Sequence, residues 1–159
     1  SFEFKSFKIH PFSVPHDAYD PVGFYFQWGS GDLFNPLGSL AWVTDLGFVP
    51  TLVRERIRQA KILVVESNYC PKLLEADHKR PWSLKQRISS RHGHLSNQST
   101  FELLNSYPSP CWREIFIMHL SKDCNDVDLV KNQFSKLNGQ GNRFITYVID
   151  PNSAKPHQI

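Results

Sequence analysis

The sequence predicts an α/β protein: one mixed sheet with its helices gathered on one side. Three observations lead there. Six runs rich in β-branched and aromatic residues are bounded by turn residues. The early runs succeed one another with only turns between them, as in hairpins. The later runs alternate with amphipathic stretches of helical period.

The first run alternates aromatic and polar residues from Phe2 to Phe7 and continues towards Val14. After a turn rich in Pro and Asp, Gly23 to Trp28 forms the second. Gly29 to Gly38 contains four Gly or Pro residues and reads as a surface excursion to the third run, Ser39 to Thr44. Pro50 to Ala60 opens with Pro at a first-turn position and carries Leu52, Val53 and Ile57 as a narrow apolar stripe. Ile62 to Val65 is the fourth strand. Trp82 to Ser90 places Trp82, Leu84 and Ile88 among basic residues, and Asn97 is an expected N-cap for Gln98 to Asn105. Ile115 to Met118 is the fifth strand. Asp126 to Leu137 is amphipathic through Val127, Val130, Phe134 and Leu137, and Phe144 to Ile149 closes the set. Residues 1–150 are expected to form one domain and 151–159 a frayed tail.

Such a sheet has two faces, and helices on one side leave the other without a cover. The chain has 159 residues, 40% hydrophobic and 21% charged, an ordinary composition for a globular domain. No run approaches the roughly 18 apolar residues of a membrane helix, and no secretory pattern opens the chain. The start reads as a strand entered in mid-fold. A net charge of +3 and a pI near 8.8 suit a phosphate-bearing substrate and an ordinary solvated surface equally well. Cys70, Cys111 and Cys124 lack CxxC spacing and cannot all pair, which fits free thiols in a reducing cytoplasm.

Polar residues capable of metal or acid–base chemistry recur just after the β-runs: His16 and Asp17, Asp45, Glu66 and His119. In layered α/β proteins the strand ends converge on one rim where ligands collect. Imidazole and carboxylate together suit zinc, manganese or iron. The same residues have plainer uses. Asp45 before Leu46-Gly47 can make an Asx-turn, Glu66-Ser67-Asn68 can cap the next segment, and His94 can sit in the Gly93–Asn97 turn. Spacing alone leaves both readings open.

The order Val14-Pro15-His16-Asp17-Ala18, then Thr44-Asp45-Leu46-Gly47, then Glu66-Ser67-Asn68, resembles the metallo-β-lactamase superfamily. Arg80-Pro81-Trp82-Ser83-Leu84-Lys85-Gln86-Arg87-Ile88, Gly93-His94-Leu95-Ser96-Asn97 and His119-Leu120-Ser121 narrow the resemblance to the YycJ/WalJ-type branch, related to the RNase Z and RNase J nucleases. It runs from about Ile9 to Leu129. It implies the C-terminal half of a four-layer αββα sandwich, with His16 as the third-motif metal ligand, Asp45 as the carboxylate bridging two ions and His119 as the last-motif ligand. Two cations held close together need an anionic bridge, and such a pair lowers the pKa of a shared water and clamps a phosphoryl oxygen. Glu66 and His94 match the acid and imidazole that handle protons beside the metals. Asn68, Arg87, Ser96 and Asn97 would lie along the substrate.

The implied cofactors are two divalent transition-metal ions, zinc or manganese. The implied partners are nucleic acid or another phosphodiester, and an N-terminal half supplied by the same longer chain or by a separate subunit; no membrane is implied. Departures are as informative. Tyr69 and Cys70 stand where the branch usually has His-Asp, and Cys124 where it usually has Asn. The superfamily's HxHxDH run does not occur in these 159 residues; His92-Gly93-His94 has its first spacing without a subsequent Asp-His. This chain alone is therefore expected to bind metal weakly or partially and to hydrolyse little. Two functions are compatible with this: part of a dinuclear phosphodiesterase, exonuclease-like, or a degenerate half-domain acting as an interaction module. A basic group, Lys72, Lys79, Arg80, Lys85, Arg87 and Arg91, is either a phosphate-facing patch or a solvated helix face.

Overall fold

Residues 1–139 and 141–150 are described by a computed structural model of the chain. Seven strands form one sheet in chain order: β1 (Phe2–Phe4), β2 (Phe7–Ser13), β3 (Val22–Trp28), β4 (Gly38–Val43), β5 (Ile62–Glu66), β6 (Glu114–Met118) and β7 (Ile145–Val148). β1 to β4 are antiparallel, and β4 to β7 are parallel. The expected first run is two strands, because Lys5 takes a left-handed conformation (φ 54°) and folds Phe4 back on Phe7. The expected tail at 151–159 lies outside the described residues.

The parallel half needs crossovers, and these carry the helices: α1 (Thr51–Ile57) after β4, α2 (Pro71–Ala76), α3 (Trp82–Ile88) and α4 (Asn97–Ser106) after β5, and α5 (Val127–Ser135) after β6. Strands laid down in one direction and joined by right-handed crossovers place their helices on one face. The sequence pattern does not announce α2, a single short turn-and-a-half with Pro71 at its start. α4 is capped one residue earlier than expected, the Ser96 side chain accepting from Ser99 N–H at 3.0 Å. Asp126 caps α5 in the same way, accepting from Leu129 N–H at 2.8 Å.

Alternate strand residues face those helices. Ala41, Val43, Leu63, Val65, Ile115 and Ile117 pack with Val53 and Ile57 of α1, Leu103 and Leu104 of α4 and Val130 and Phe134 of α5. Trp112 is wholly buried there, its indole N–H donating to the Ile57 carbonyl at 2.8 Å. The opposite face is also apolar. Register puts Pro11, Phe24, Trp42, Val64, Phe116 and Tyr147 in one row across it and Ile9, Phe26, Leu40 and Ile62 in the next. No described helix covers this face, and Trp42 remains 41% exposed. The expected layer order is thus observed for two layers, helices and sheet. No described helix is long and apolar enough to cross a membrane.

Candidate metal centre

The chemistry-bearing residues converge at the rim where β4, β5 and β6 end. Each is placed by the loop that leaves its strand. Asp45 and His119 both have left-handed backbones (φ 60° and 58°), which turn their side chains inward just past β4 and β6. A non-glycine residue there is strained. His16 comes after β2, its ring fixed by Nδ1 lying 3.0 Å from the Gly93 carbonyl. That carbonyl can approach because Gly93 has no side chain; a Cβ there would collide with the Ile88 carbonyl. Gly47 is needed similarly, since a Cβ would strike the Ser90 carbonyl.

Glu66 organises the rest. It is fully buried at the end of β5. One oxygen, Oε1, accepts from the Leu46 and Leu95 N–H groups at 2.9 and 3.0 Å. The other, Oε2, lies 3.0 Å from Nδ1 of both His94 and His119. Burial pushes this carboxyl up, but the hydrogen bonds from His119, His94 and Leu46 outweigh it and hold it down at about 2. The Glu66 hydrogen bond in turn raises the pKa of His119; burial opposes this and the Asp45 charge assists it. A carboxylate that fixes one ring nitrogen turns the other towards a ligand, the usual arrangement behind a metal-binding histidine.

Asp45 sits in the middle. Its Oδ1 lies 3.7 Å from Nε2 of His119, 3.9 Å from Nε2 of His16 and 4.0 Å from Nδ1 of His94. Two donors of one ion with bonds of about 2.1 Å lie at most about 4.2 Å apart, so these separations fit shared metal ligation. The donors form two groups, His16–Asp45–His94 and Glu66–His94–His119, each within 4.8 Å. The Nε2 atoms of His16 and His119 with Asp45 therefore fit a divalent ion; His94 is in both groups, but the nitrogen it turns to Asp45 is Nδ1, which Glu66 holds. The sequence suggests a proton-handling role for His94, and Glu66 fixes its ring at Nδ1.

The expected substrate contacts divide. Asn68 is at the surface of the rim, its amide donating to the His119 carbonyl at 2.9 Å. Arg87 is exposed but pairs with Asp17, Nε to Oδ2 2.6 Å. Ser96 and Asn97 are placed otherwise than expected: both are buried, Ser96 as the α4 cap and Asn97 in a network with Ser67 and Asn125. Asn125, which no sequence motif marks, also donates to the carbonyls of Ser67 and Asn68 and so ties the β6–α5 loop to the β5 end. It adjoins Cys124, the position singled out as departing from the branch. Tyr69 and Cys124 pack together with Leu74 and Ile88 in a small second core. Burial and the Glu66 charge raise the pKa of Tyr69, which keeps the phenol neutral. Cys70 is buried at the start of α2 and is in neither donor group.

Three of the six residues of the basic group, Lys79, Arg80 and Arg87, are paired with carboxylates. Arg80 pairs with Asp77 at 2.9 Å and Asp123 at 3.0 Å, and Lys79 pairs with Asp123 at 3.0 Å. Lys85 donates to the Glu75 carbonyl at 2.7 Å.

The chain is 29% identical over 153 residues to the exodeoxyribonuclease YycJ of Bacillus anthracis, covering 93% of this chain and 55% of that protein. It is 30% identical over 158 residues to the exodeoxyribonuclease WalJ of Streptococcus pneumoniae, covering 96% and 56%. The chain thus spans about half the length of the curated relatives it matches. No protein-family profile matches it. Among solved structures, Zn2+-bound PqqB from Methylobacterium extorquens superposes with a TM-score of 0.57 at 18% identity, covering 92% of this chain and 47% of that one, a likeness of fold.

Proposed function

Since the chain is a member of the YycJ/WalJ-type branch of the metallo-β-lactamase superfamily, we propose that it forms the C-terminal half of a dinuclear metal-dependent phosphodiesterase, a nuclease of exonuclease type. The observation that carries this reading is the ring of three histidines around Asp45, held from behind by Glu66. His16, Asp45 and His119 would hold the metal ions, with Asp45 central among them. Bound there, divalent zinc or manganese ions would supply Lewis acidity and an acidified water. Glu66 fixes the tautomers of His94 and His119, and His94 is placed to hand a proton to a leaving oxygen. Asn68 and Arg87 border the rim where a strand would enter.

These residues are half of a two-ion set. A catalytic zinc ion typically takes three protein ligands, and His16, Asp45 and His119 shared between two ions fall short of that. The complement, for which the superfamily resemblance implies an HxHxDH run, would be supplied by the same longer chain or by a separate subunit. Its own sheet would pack on the open face carrying Trp42 and Phe116.

Metal titration tests the proposal: two transition-metal ions should bind tightly only with the complement present. Two tightly held ions on this chain alone would overturn the incomplete-site reading. In the completed protein, Asp45→Asn should abolish hydrolysis of single-stranded DNA; turnover near that of the unsubstituted protein would remove the bridging assignment. Intact turnover after Glu66→Gln and His119→Ala as well would favour the alternative, a non-catalytic interaction module.

A further inference from the structure

Beside the rim, between α1 and α4, lies an open cavity of about 440 Å3. Gly47, two residues from Asp45, and Leu95, next to His94, form part of its wall. Arg54 reaches into it from α1. Its guanidinium stacks on the Tyr107 ring, 4.2 Å from the centroid, and its Nε is buried with no hydrogen-bond acceptor among the described residues. A buried donor without an acceptor is costly, and an arginine fork matches phosphate oxygens. A second arginine, Arg91, stacks at 3.9 Å over Phe48, which also lines the cavity.

These two arginines differ from the others near the rim. Arg80 and Arg87 are bound to carboxylates. Arg54 and Arg91 have no carboxylate partner within ion-pair distance among the described residues; both are held by aromatic rings, which fix a guanidinium without cancelling its charge. Glu102 also lines the cavity, its Oε1 accepting from Gln98 at 2.8 Å. A carboxylate opposite an arginine favours a ligand carrying hydroxyl or amino groups as well as an anion, as a nucleotide does, over a bare anion.

We infer that this cavity is a phosphate subsite for a nucleic-acid strand running past the metal centre, with Arg54 binding a backbone phosphate next to the one being cleaved. Arg91 adds positive charge at its edge. This subsite rests on the nuclease reading and adds to it a place where the strand is gripped away from the metal ions.

The test is binding of single-stranded DNA with cleavage-resistant phosphorothioate linkages, monitored by fluorescence anisotropy, in the protein together with whatever segment or subunit completes it. Arg54→Ala should weaken binding at least about tenfold and reduce the slope of log affinity against log salt by about one. Arg54→Lys should recover part of the loss. Lys72→Ala, an exposed cation on α2, should leave binding within about twofold. Equal affinity of Arg54→Ala and the unsubstituted protein would overturn the subsite while leaving the nuclease reading intact, as would an equal loss in Lys72→Ala. Failure of the unsubstituted protein to bind DNA would overturn both. Should Arg54→Ala not fold, Arg54→Gln, which keeps the aliphatic stem, serves the same comparison.

Discussion

The two faces of the sheet are both apolar, but the described helices cover only one. On the helix side, Leu63, Val65, Ile115 and Ile117 are buried beneath α1, α4 and α5. On the other, Val64 and Phe116 are buried, while Trp42 and Phe4 stay 41% and 60% exposed. Residues of one type, on one set of strands, therefore make different contributions to stability according to what lies over them. The hydrophobic effect rewards area removed from water, and Trp42 and Phe4 keep much of theirs in contact with it.

The comparison can be broken most sharply at Trp112. Trp112→Ala empties a wholly buried site and leaves the Ile57 carbonyl with only its 3.3 Å bond from the Ala60 N–H, and should cost about 3–5 kcal/mol by chemical denaturation; a cost below about 1 kcal/mol would mean the helix face is not the core. Next comes Trp42→Ala on the open face. It should lower the stability of this chain by less than about 1 kcal/mol, yet weaken its association with the proposed complementary half at least about tenfold, as the loss of a central aromatic anchor does. Large destabilisation without the complement would show that this face is covered by some other means.

Ser96→Ala removes the cap of a helix that closes the core, and about 1 kcal/mol is expected; an unchanged denaturation midpoint would place the cap at Asn97 after all. The smallest effect is at the rim. Asp77 is held below the ordinary carboxylate range by its hydrogen bond from Arg80, and Asp123 by Lys79 and Arg80. A carboxyl depressed in the folded state contributes stability that is present above its unfolded pKa and is lost as pH falls through the folded one. The melting-temperature gap between the unsubstituted protein and Asp123→Asn should therefore be largest near neutrality and shrink below about pH 4. A gap that widens in acid would mean that the pair is not formed.

Much of the fold and the site is legible in the sequence because hydrophobic period and position after a strand are local signals. His16, Asp45, Glu66 and His119 each come just after a β-run, and the sheet brings such positions together whatever the loops do. Relations between loops distant in sequence are not legible in this way. Nothing near Glu66 indicates that a single oxygen serves both His94 and His119, and nothing near Asn125 indicates that it bonds Asn97. Ser96 and Asn97 read as substrate-facing groups because their polarity is plain in the sequence and their burial is not. The glycine carbonyl that orients His16 is likewise a matter of backbone path, although the Gly in His92-Gly93-His94 is its one visible trace.

Asp45 and His119 sit in a backbone conformation that asparagine tolerates better than most residues and glycine better still. A population of variants selected for folding alone should therefore drift towards glycine or asparagine at these two positions, and one selected for catalysis should hold them fixed. The pull between robustness and chemistry would be visible at those two positions, and a library sorted first by thermal resistance and then by the proposed DNA hydrolysis would separate the two pressures residue by residue.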